Sequence, residues 1–587
     1  MKAPSVVSRA TKLAFALVVI THASALLAQV DRGSIVGTVS DSSGAYVEGA
    51  KVVIKNLATD ESVEVTTDSS GAYAAKLLRI GAYSVTVERQ GFKKGVEPNV
   101  EVGVNQVVRV NLSLQVGSAT ESVVVTGAAP LLQTETSSLG TIETERRISE
   151  LPLNGRNFIQ LAYLGPGANS GQTGSNVSGG VFENERANEA LSVNGLRVSN
   201  NNFLLNGVDN NEFGLGGVVV LPPPDAIQEF RTEENSMSAE FGRGGAAVNV
   251  VEKSGTNQIH GGAFEFIRND VLDARNYFSF APAPKPAFRR NQFGAFLGGP
   301  IKKDKTFIFG DYQGSRVREG LPYISTVSNA AERTGDFSDR LTGQFFSPCD
   351  APGPGESFDT GTIFDPFSTH SYTCVNPSPK TGQQTVQLRD PISYQGQLNV
   401  IPPTMIDATG SNIASLYPLP NVSGLINNYF SSPKRMNDQD SFDIRLDHHF
   451  REPDQIFAGY SFDDIRSLRP GPLGDLGGAS CCPSLDKTRA QHVSLGWTHT
   501  FSGRLLNDAH GGFFRYAVNA LPLLFGKNLS EQVGIPNANR GDVNSSGLSF
   551  INVASFTSLG DSLWTPEHAS SPRLAGNSVF QGGTPRT

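Results

Sequence analysis

The stretch Ser441-Phe-Asp-Ile-Arg-Leu-Asp447 decides the fold class of this chain. Phe442, Ile444 and Leu446 alternate with Ser441, Asp443, Arg445 and Asp447. An extended strand therefore carries apolar side chains on one face and polar ones on the other, an arrangement that suits lipid against a wet lumen. The same period recurs on both sides of it. Downstream, Arg451-Glu-Pro-Asp454 turns the chain into a strand on which Ile456, Ala458, Tyr460 and Phe462 share a face. A Gly-rich connection from Asp463 to Arg489 leads to a strand with Val493, Leu495 and Trp497 outward. Phe501-Ser-Gly-Arg504 then turns into a further strand near Asp508 to Tyr516. Upstream, Gly262-Ala-Phe-Glu-Phe-Ile267, Gln292-Phe-Gly-Ala-Phe-Leu297 and Thr306-Phe-Ile-Phe-Gly-Asp-Tyr312 read as strands. The facing of the last two is ambiguous, because Phe falls on both sides. A very long connection, Gln313 to Asn437, separates them from the deciding stretch.

Soluble sandwiches and propellers also alternate residue by residue. What sets these strands apart is that their connections alternate between short and long, as the periplasmic turns and extracellular loops of a transmembrane barrel do. Period-two reading finds about seven strands. The tail from Pro566 to Thr587 is polar, rich in Ser, Gly and Pro, and reads as no strand; it ends without an aromatic residue. A sheet of so few strands leaves open edges. The expectation is thus an incomplete antiparallel barrel over 258–587, from a fragment or a frame-disrupted product.

The other end of the chain is equally marked. Lys2, Arg9 and Lys12 precede an apolar run from Leu13 to Ile20, followed by Ala23-Ser-Ala25 and Leu27-Ala28. This is the pattern of a secretory signal peptide over 1–28, cut after Ala25 or Ala28. The run is too short for a spanning helix, which needs about 20 apolar residues. With 62 Gly and 34 Pro among 587 residues, many turns and little helix are expected. A net charge of -8 with no basic stripe excludes a nucleic-acid partner.

Between these ends, 30–116 reads as a β-sandwich of about seven short strands. Ser34–Val39, Lys51–Lys55, Ser62–Thr66, Tyr83–Glu88 and Val107–Leu112 are rich in β-branched residues. Asp41-Ser-Ser-Gly44, Asp68-Ser-Ser-Gly71 and Arg89-Gln-Gly91 punctuate them. Gly37–Gly44, Gly49-Ala-Lys-Val52, Asp68-x-x-Gly-x-Tyr73, Gly81-x-Tyr-x-Val85 and Gly91-Phe92 resemble the carboxypeptidase-regulatory-like domain. That resemblance implies a non-catalytic, transthyretin-like sandwich in a carbohydrate-binding-like fold group. Tyr46, Tyr73, Tyr83 and Phe92 are its aromatics, expected in the core rather than on a ligand.

Glu121-Ser-Val-Val-Val-Thr126 follows, a β-prone strip inside a small-residue linker over 117–130. Such a strip can add to the exposed sheet edge of a partner, or serve as a last sandwich strand. Over 131–257, Leu151-Pro-Leu-Asn-Gly-Arg-Asn-Phe158, Leu191-Ser-Val-Asn-Gly-Leu-Arg197, Phe203-Leu-Leu-Asn-Gly-Val-Asp209, Asp225-Ala-Ile-Gln-Glu-Phe230, Ala239-Glu-Phe-Gly-Arg-Gly-Gly245 and Val248–Asn257 occur in the order of a plug domain. These resemble the Oar-like branch of TonB-dependent transporters. So do Ala331–Ser338, Ile363-Phe-Asp-Pro366, Asn399–Pro402 and Tyr417–Asn421 in the long connection. One departure is Asn206, where the family usually carries Asp. The resemblance implies an α+β plug inside an outer-membrane barrel of about 22 strands in contact with lipid. It also makes Glu121, Ser122, Val123, Val124, Val125 and Thr126 the TonB box, the grip of the energy-coupling protein TonB.

No nucleophile-base pair or phosphate loop stands out, and no catalytic residue, metal ligand or cofactor is assigned. His449-Phe-Arg-Glu452 matches the start of a zinc-peptidase site, with His568 available as a distant ligand. It lies beside Pro453 without an α/β scaffold, so His448 and His449 are read as turn residues at the periplasmic rim. Cys349 and Cys374 share one long loop, which a bridge between them would close, while the next holds Cys481 and Cys482 as a vicinal bridge or two thiols. Sequence leaves the pairing open. The plug is Asn-rich, and Asn194, Arg197, Asn206, Asp209 and Asn210 are taken as candidate ligand contacts on apical turns. The expected function is uptake of a large or complex nutrient, of the carbohydrate or siderophore class, with peptide also open. The sandwich tilts the reading to carbohydrate. A surface adhesin using the sandwich and long loops is the alternative.

Overall fold

The computed structural model describes residues 31–118, 122–124, 138–169, 191–212, 217–235, 245–275, 277, 285–451, 454–478, 483–502, 505–563 and 565–582. The signal-peptide segment, Cys481, Cys482 and most of the Ala239–Gly245 motif lie outside these residues.

The sandwich consists of β1 (Gly33–Asp41), β2 (Lys51–Asn56), β3 (Ser62–Thr66), β4 (Ala72–Leu78), β5 (Gly81–Glu88), β6 (Lys94–Val102), β7 (Val107–Arg109), β8 (Leu112–Leu114) and β9 (Ser122–Val124). One sheet sets β1 between β4 and the pair β7 and β8; the other runs β3-β2-β5-β6-β9. Ile35, Val39, Val52, Ile54, Val85, Val87, Leu112 and Leu114 fill the space between them. Tyr73 and Tyr83 are core residues, Phe92 packs against the core from its edge, and Tyr46 is exposed. The two Asp-Ser-Ser-Gly signals form the same turn. Asp41 Oδ1 accepts from the N–H groups of Ser43 and Ala45, and Asp68 Oδ1 from those of Ser70 and Ala72. These bonds hold both carboxyls below their ordinary pKa, the hydroxyls of Ser43 and Ser70 contributing most. The segment read as one strand, Val107–Leu112, breaks at Val110-Asn111, where Asn111 Oδ1 accepts from Thr38 N–H at 2.9 Å. Gly37 faces this break, and a Cβ there would lie 1.8 Å from the Val110 carbonyl oxygen.

The plug sheet has the order β10 (Leu139–Thr144), β13 (Ile227–Asn235), β14 (Ala247–Glu252), β11 (Asn202–Leu205), β12 (Val208–Asp209). A short helix α1 (Glu145–Glu150) and a 3-10 segment, Phe158–Leu164, cover it through Ile148, Phe158, Ile159 and Leu161, packed on Phe203, Phe230 and Val248.

Eight strands form the third unit: β15 (His260–Asn269), β16 (Phe288–Lys302), β17 (Thr306–Gly320), β18 (Lys434–Arg451), β19 (Asp454–Arg469), β20 (Ser484–Ser502), β21 (Leu505–Leu521) and β22 (Glu567–Gly582). Each pairs antiparallel with the next, and among the described residues β15 and β22 do not pair with one another. The deciding stretch behaves as its pattern requires: Ile444 and Leu446 are exposed, Phe442 is half-buried, and Ser441, Asp443, Arg445 and Asp447 are buried. The ambiguous β17 resolves, with Phe307 and Phe309 inward and Ile308 and Tyr312 outward.

Three expectations are corrected. The strands are far longer than read, and the connections correspondingly shorter: 321–433 and 470–483 instead of Gln313–Asn437 and Asp463–Arg489. About ten tilted residues cross an apolar band about 25 Å tall. Beyond that band charged residues such as Arg316, Arg318, Asp438 and Asp440 enter the outward face while Val317 and Ile465 are buried on the inner one, so the alternation is lost while the ladder continues. Arg316–Asp440 (2.8 Å), Arg318–Asp438 (2.6 Å) and Arg489–Asp464 (2.8 Å) tie the extension across strands. Second, the polar tail contains β22, in register with β21 from Leu505↔Gly582 to Ala520↔Glu567. Among the described residues β21 is its one neighbour, and backbone pairing defines it despite Pro572 and weak patterning. Third, His448 and His449 lie within β18 rather than in a turn.

At the end with the long connections, segments of 321–433, 470–483 and 522–566 share an apolar core of Val327, Tyr417, Leu473, Leu524, Val533, Leu548 and Leu559. Tyr417 donates its hydroxyl to the Thr557 carbonyl at 2.7 Å, and helix α2 (Ala408–Leu416) lies in this layer. Cys349 and Cys374 are disulfide-bonded across 25 residues of it.

Candidate functional site

Around the turn between β11 and β12, the seam between plug and barrel is made of polar side chains, and Asn206 is their hub. It occupies the tight turn between β11 and β12 at φ 52, a left-handed conformation that Asn tolerates. Fully buried at 0% exposure, it has no surface for a ligand. Its Oδ1 accepts from the Arg445 guanidinium at 2.9 Å and from Glu252 N–H at 3.0 Å. Its Nδ2 donates to Glu252 Oε2 at 2.7 Å and to Ser494 Oγ at 3.3 Å. Its carbonyl meets His510 Nδ1 at 3.0 Å. Arg445 is also ion-paired with Asp447 at 3.1 Å, and Ser461 donates to Glu252 Oε1 at 3.0 Å. Strands β18, β20 and β21 thus hold one plug turn directly, and β19 holds its partner Glu252. Gly512 of β21 supplies the necessary space, since a Cβ there would lie 2.4 Å from Val208 of the plug.

A second contact lies nearer the long-loop end. Arg290 donates to Asn154 Oδ1 at 3.0 Å, Gln292 to the Gly155 carbonyl at 3.1 Å, and Arg156 to Gln313 at 2.9 Å. Arg156 also pairs with Asp225 and lies over the Phe264 and Phe266 rings at 4.1 and 4.6 Å. Val219 and Val220 pack there against Ala490, Phe514, Tyr516 and Val518.

The ligand candidates read from sequence are not gathered into one site. Asn210 is 3% exposed and spends its amide on both backbone groups of Val220. Asp209 is half-buried, bonded to Asn211 N–H, with its carbonyl beside His492 Nε2. Asn194 is exposed, donating to the Glu234 carbonyl, and Arg197 is exposed. Burial therefore removes Asn206 and Asn210 from the ligand-facing set. Sequence reading missed Arg156 and Val219-Val220 as plug groups held by the barrel strands nearer the long loops. Arg156 stood inside a quoted motif, but nothing in the chain itself announced its ring partners.

The sandwich caps the short-turn end. Glu229 accepts from Val104 N–H, and Arg231 donates to the Val104 and Asn105 carbonyls at 3.3 and 2.9 Å. Burial pushes the Glu229 carboxyl up to about 7, against the pull of Val104 N–H and Arg231. Arg79 reaches Asp447 at 3.1 Å, Arg32 donates to Gln455 at 3.0 Å, and His449 faces Glu61 at 3.6 Å. His449 is thus occupied by a sandwich carboxylate. Of the strip Glu121–Thr126, only Ser122, Val123 and Val124 are described, as β9 running parallel to Lys94–Val96 of β6. Glu121, Val125 and Thr126 lie outside the described residues.

Residues 251–581, more than half of the chain, match the family described as outer membrane beta barrel domain. The chain belongs to that family. In this outer-membrane β-barrel protein, residues 34–115 also match the carboxypeptidase regulatory-like domain. A curated relative, the TonB-dependent transporter Oar of Myxococcus xanthus, is 27% identical over 363 residues, 58% of this chain and 32% of the relative. The barrel protein thus spans about a third of that relative's length. Among solved structures, a mutant of the ferric enterobactin receptor PfeA of Pseudomonas aeruginosa is 13% identical over 65% of this chain and 41% of its own, with a TM-score of 0.35. The outer membrane transporter YddB of Escherichia coli is 11% identical over 76% of this chain and 54% of its own, with a TM-score of 0.34. The girdle expected of such a barrel is present at the short-turn end: His448 stacks edge-on against Phe450, His499 does the same against Phe501, and Trp497 donates to Asp454 at 3.0 Å.

Proposed function

We propose that this protein is exported through the 1–28 signal peptide and acts as a TonB-dependent transporter. It would import a large or complex nutrient of the carbohydrate or siderophore class, without covalent chemistry. The observation that carries this reading is the polar plug seam centred on Asn206. Hydrogen bonds in such a seam can be exchanged for bonds to water, so a pulled plug has a route to movement that an apolar interface would deny it. An adhesin has no use for a plug. Glu121–Thr126 is then the grip for TonB, and ligand meets the layer of long loops and the exposed plug groups first.

Deleting Glu121–Thr126 in producing cells should abolish uptake while leaving surface binding of the nutrient intact. Undiminished uptake would sink the proposal. If attachment of cells were lost on removing the long loops while uptake never depended on the strip, the adhesin reading would replace it.

A further inference from the structure

Where the sandwich meets the barrel, three buried groups from distant parts of the chain converge. Asp31 precedes β1, and Asp508 and His510 are neighbours on the inner face of β21. Their exposures are 4%, 1% and 5%. Each offers one donor atom, and these atoms lie within 4.8 Å of one another. His510 Nε2 is 3.0 Å from Asp508 Oδ2 and 3.8 Å from Asp31 Oδ1. The other ring nitrogen, Nδ1, faces the Asn206 carbonyl at 3.0 Å and must be the N–H that donates to it. Asp508 Oδ1 accepts from Thr498 Oγ1 at 2.6 Å. Asp31 Oδ1 accepts no hydrogen bond. Its ion pair with Arg32 is long, 3.6 Å to Nε, and Arg32 Nη1 is committed to Gln455 at 3.0 Å.

We propose that Asp31, Asp508 and His510 bind one divalent transition cation of the Zn2+ class. The cation would staple the segment ahead of the sandwich to barrel strand β21. Ligands about 2.0–2.2 Å from a shared ion lie roughly 3–4 Å from each other, as His510 Nε2 does from both carboxylates. One imidazole nitrogen and two carboxylate oxygens form a borderline donor set suited to Zn2+ and its neighbours. The surroundings fit as well. The Asn206 carbonyl fixes the tautomer that leaves Nε2 a lone pair, and Thr498 orients Asp508, the outer contacts that tune a metal ligand. The nearby guanidiniums are engaged elsewhere, Arg32 with Gln455 and Arg445 with Asp447 and Asn206, which leaves the carboxylates facing His510 for a cation to compensate. Asp31 and Arg32 also line a cavity of about 480 Å³ between sandwich and plug, which provides an entry path and room for a fourth, exchangeable ligand. Because the Asn206 carbonyl touches His510, the staple connects sandwich, barrel and plug hub.

The test uses the full chain in detergent, stripped with a chelator and titrated with ZnCl2 calorimetrically, with metal content read by elemental analysis. One Zn2+ per chain is expected, and Asp31→Asn and His510→Gln should each weaken binding at least about tenfold. Co2+ in place of Zn2+ should give a visible absorption band that Asp31→Asn removes. Asp31 lies outside every strand, so this variant keeps its circular dichroism and decides the matter even if His510→Gln does not fold. Two results overturn the proposal: no saturable binding by the unaltered chain, or binding unchanged by Asp31→Asn. Either would leave His510 as an imidazolium paired with Asp508.

Discussion

The interior of the sandwich and the plug–barrel seam around Asn206 are equally buried, yet they are built from opposite materials. Between the sandwich sheets lie Val, Ile, Leu and Ala, with Tyr73 and Tyr83 as the polar-tipped exceptions. Around Asn206 the contacts are Arg445, Glu252, Ser494, Ser461 and His510. Apolar packing is lost outright when its surfaces part. A satisfied polar seam costs only the difference between protein and water partners, provided that every group finds one. The sandwich is therefore a body that must stay folded under load, and the seam a joint that can open.

The comparison breaks most visibly at Arg445. Replacing it with Ala leaves Glu252 buried without this cation and Asp447 with Arg79 alone, at a cost of about 4 kcal/mol. Limited proteolysis should then cut the plug at protein concentrations where the unaltered chain resists. Equal resistance would mean that the seam does not depend on this cation. Leu112→Ala, in the sandwich core, should cost about 3 kcal/mol in denaturant unfolding of the sandwich. It should leave plug protection unchanged, because among the described residues the two regions form separate apolar clusters. A parallel loss of plug protection would show that core and joint are one cooperative unit.

The sandwich–plug junction sharpens the comparison through pH. Glu229 has its folded pKa raised to about 7 by burial, above an ordinary value of 4.5. Burial pushes Glu61 and Glu233 in the same direction. A carboxyl raised in the docked state binds more protons there than when undocked, so docking strengthens as pH falls from about 7 toward 4.5 and is weakest, and level, above 7. Protease cleavage near Val104 should slow on moving from about pH 8 to about pH 5.5, by the equivalent of about 1–2 kcal/mol. Glu229→Gln should flatten that dependence; an unaltered slope would assign it to other groups.

Much of this architecture was legible because period-two patterning is a local signal. Ser441–Asp447 shows both faces of a barrel strand within seven residues, and the two Asp-Ser-Ser-Gly turns announce themselves by chemistry alone. What escaped was non-local. β22 carries no pattern of its own and exists through pairing with β21. Lys94–Val102 was missed because Pro98 and mixed polarity obscure a strand with a neighbour on either side. Asn206 was noticed as an unusual residue, but its partners lie 239 and 288 positions away, and only the fold reveals that they spend its whole hydrogen-bonding capacity. A local pattern tells which face a residue occupies, not what waits on that face.

The smallest effect is expected where charge is exposed rather than buried. Arg318 pairs with both oxygens of Asp438, at 2.6 and 3.0 Å, on the polar extension of β17 and β18. Its geometry is as good as that of Arg445 with Asp447, but roughly a third of each side chain remains in water. Solvent and salt screen such a pair, so Arg318→Ala should cost about 0.5 kcal/mol, less as ionic strength rises. The thermal unfolding temperature should accordingly change little, and the change should vanish at about 1 M salt. A loss approaching that of Arg445→Ala would mean that the strand extensions are covered by something in the assembled protein. The distinction between buried joint and exposed ladder would then have to be redrawn around that cover.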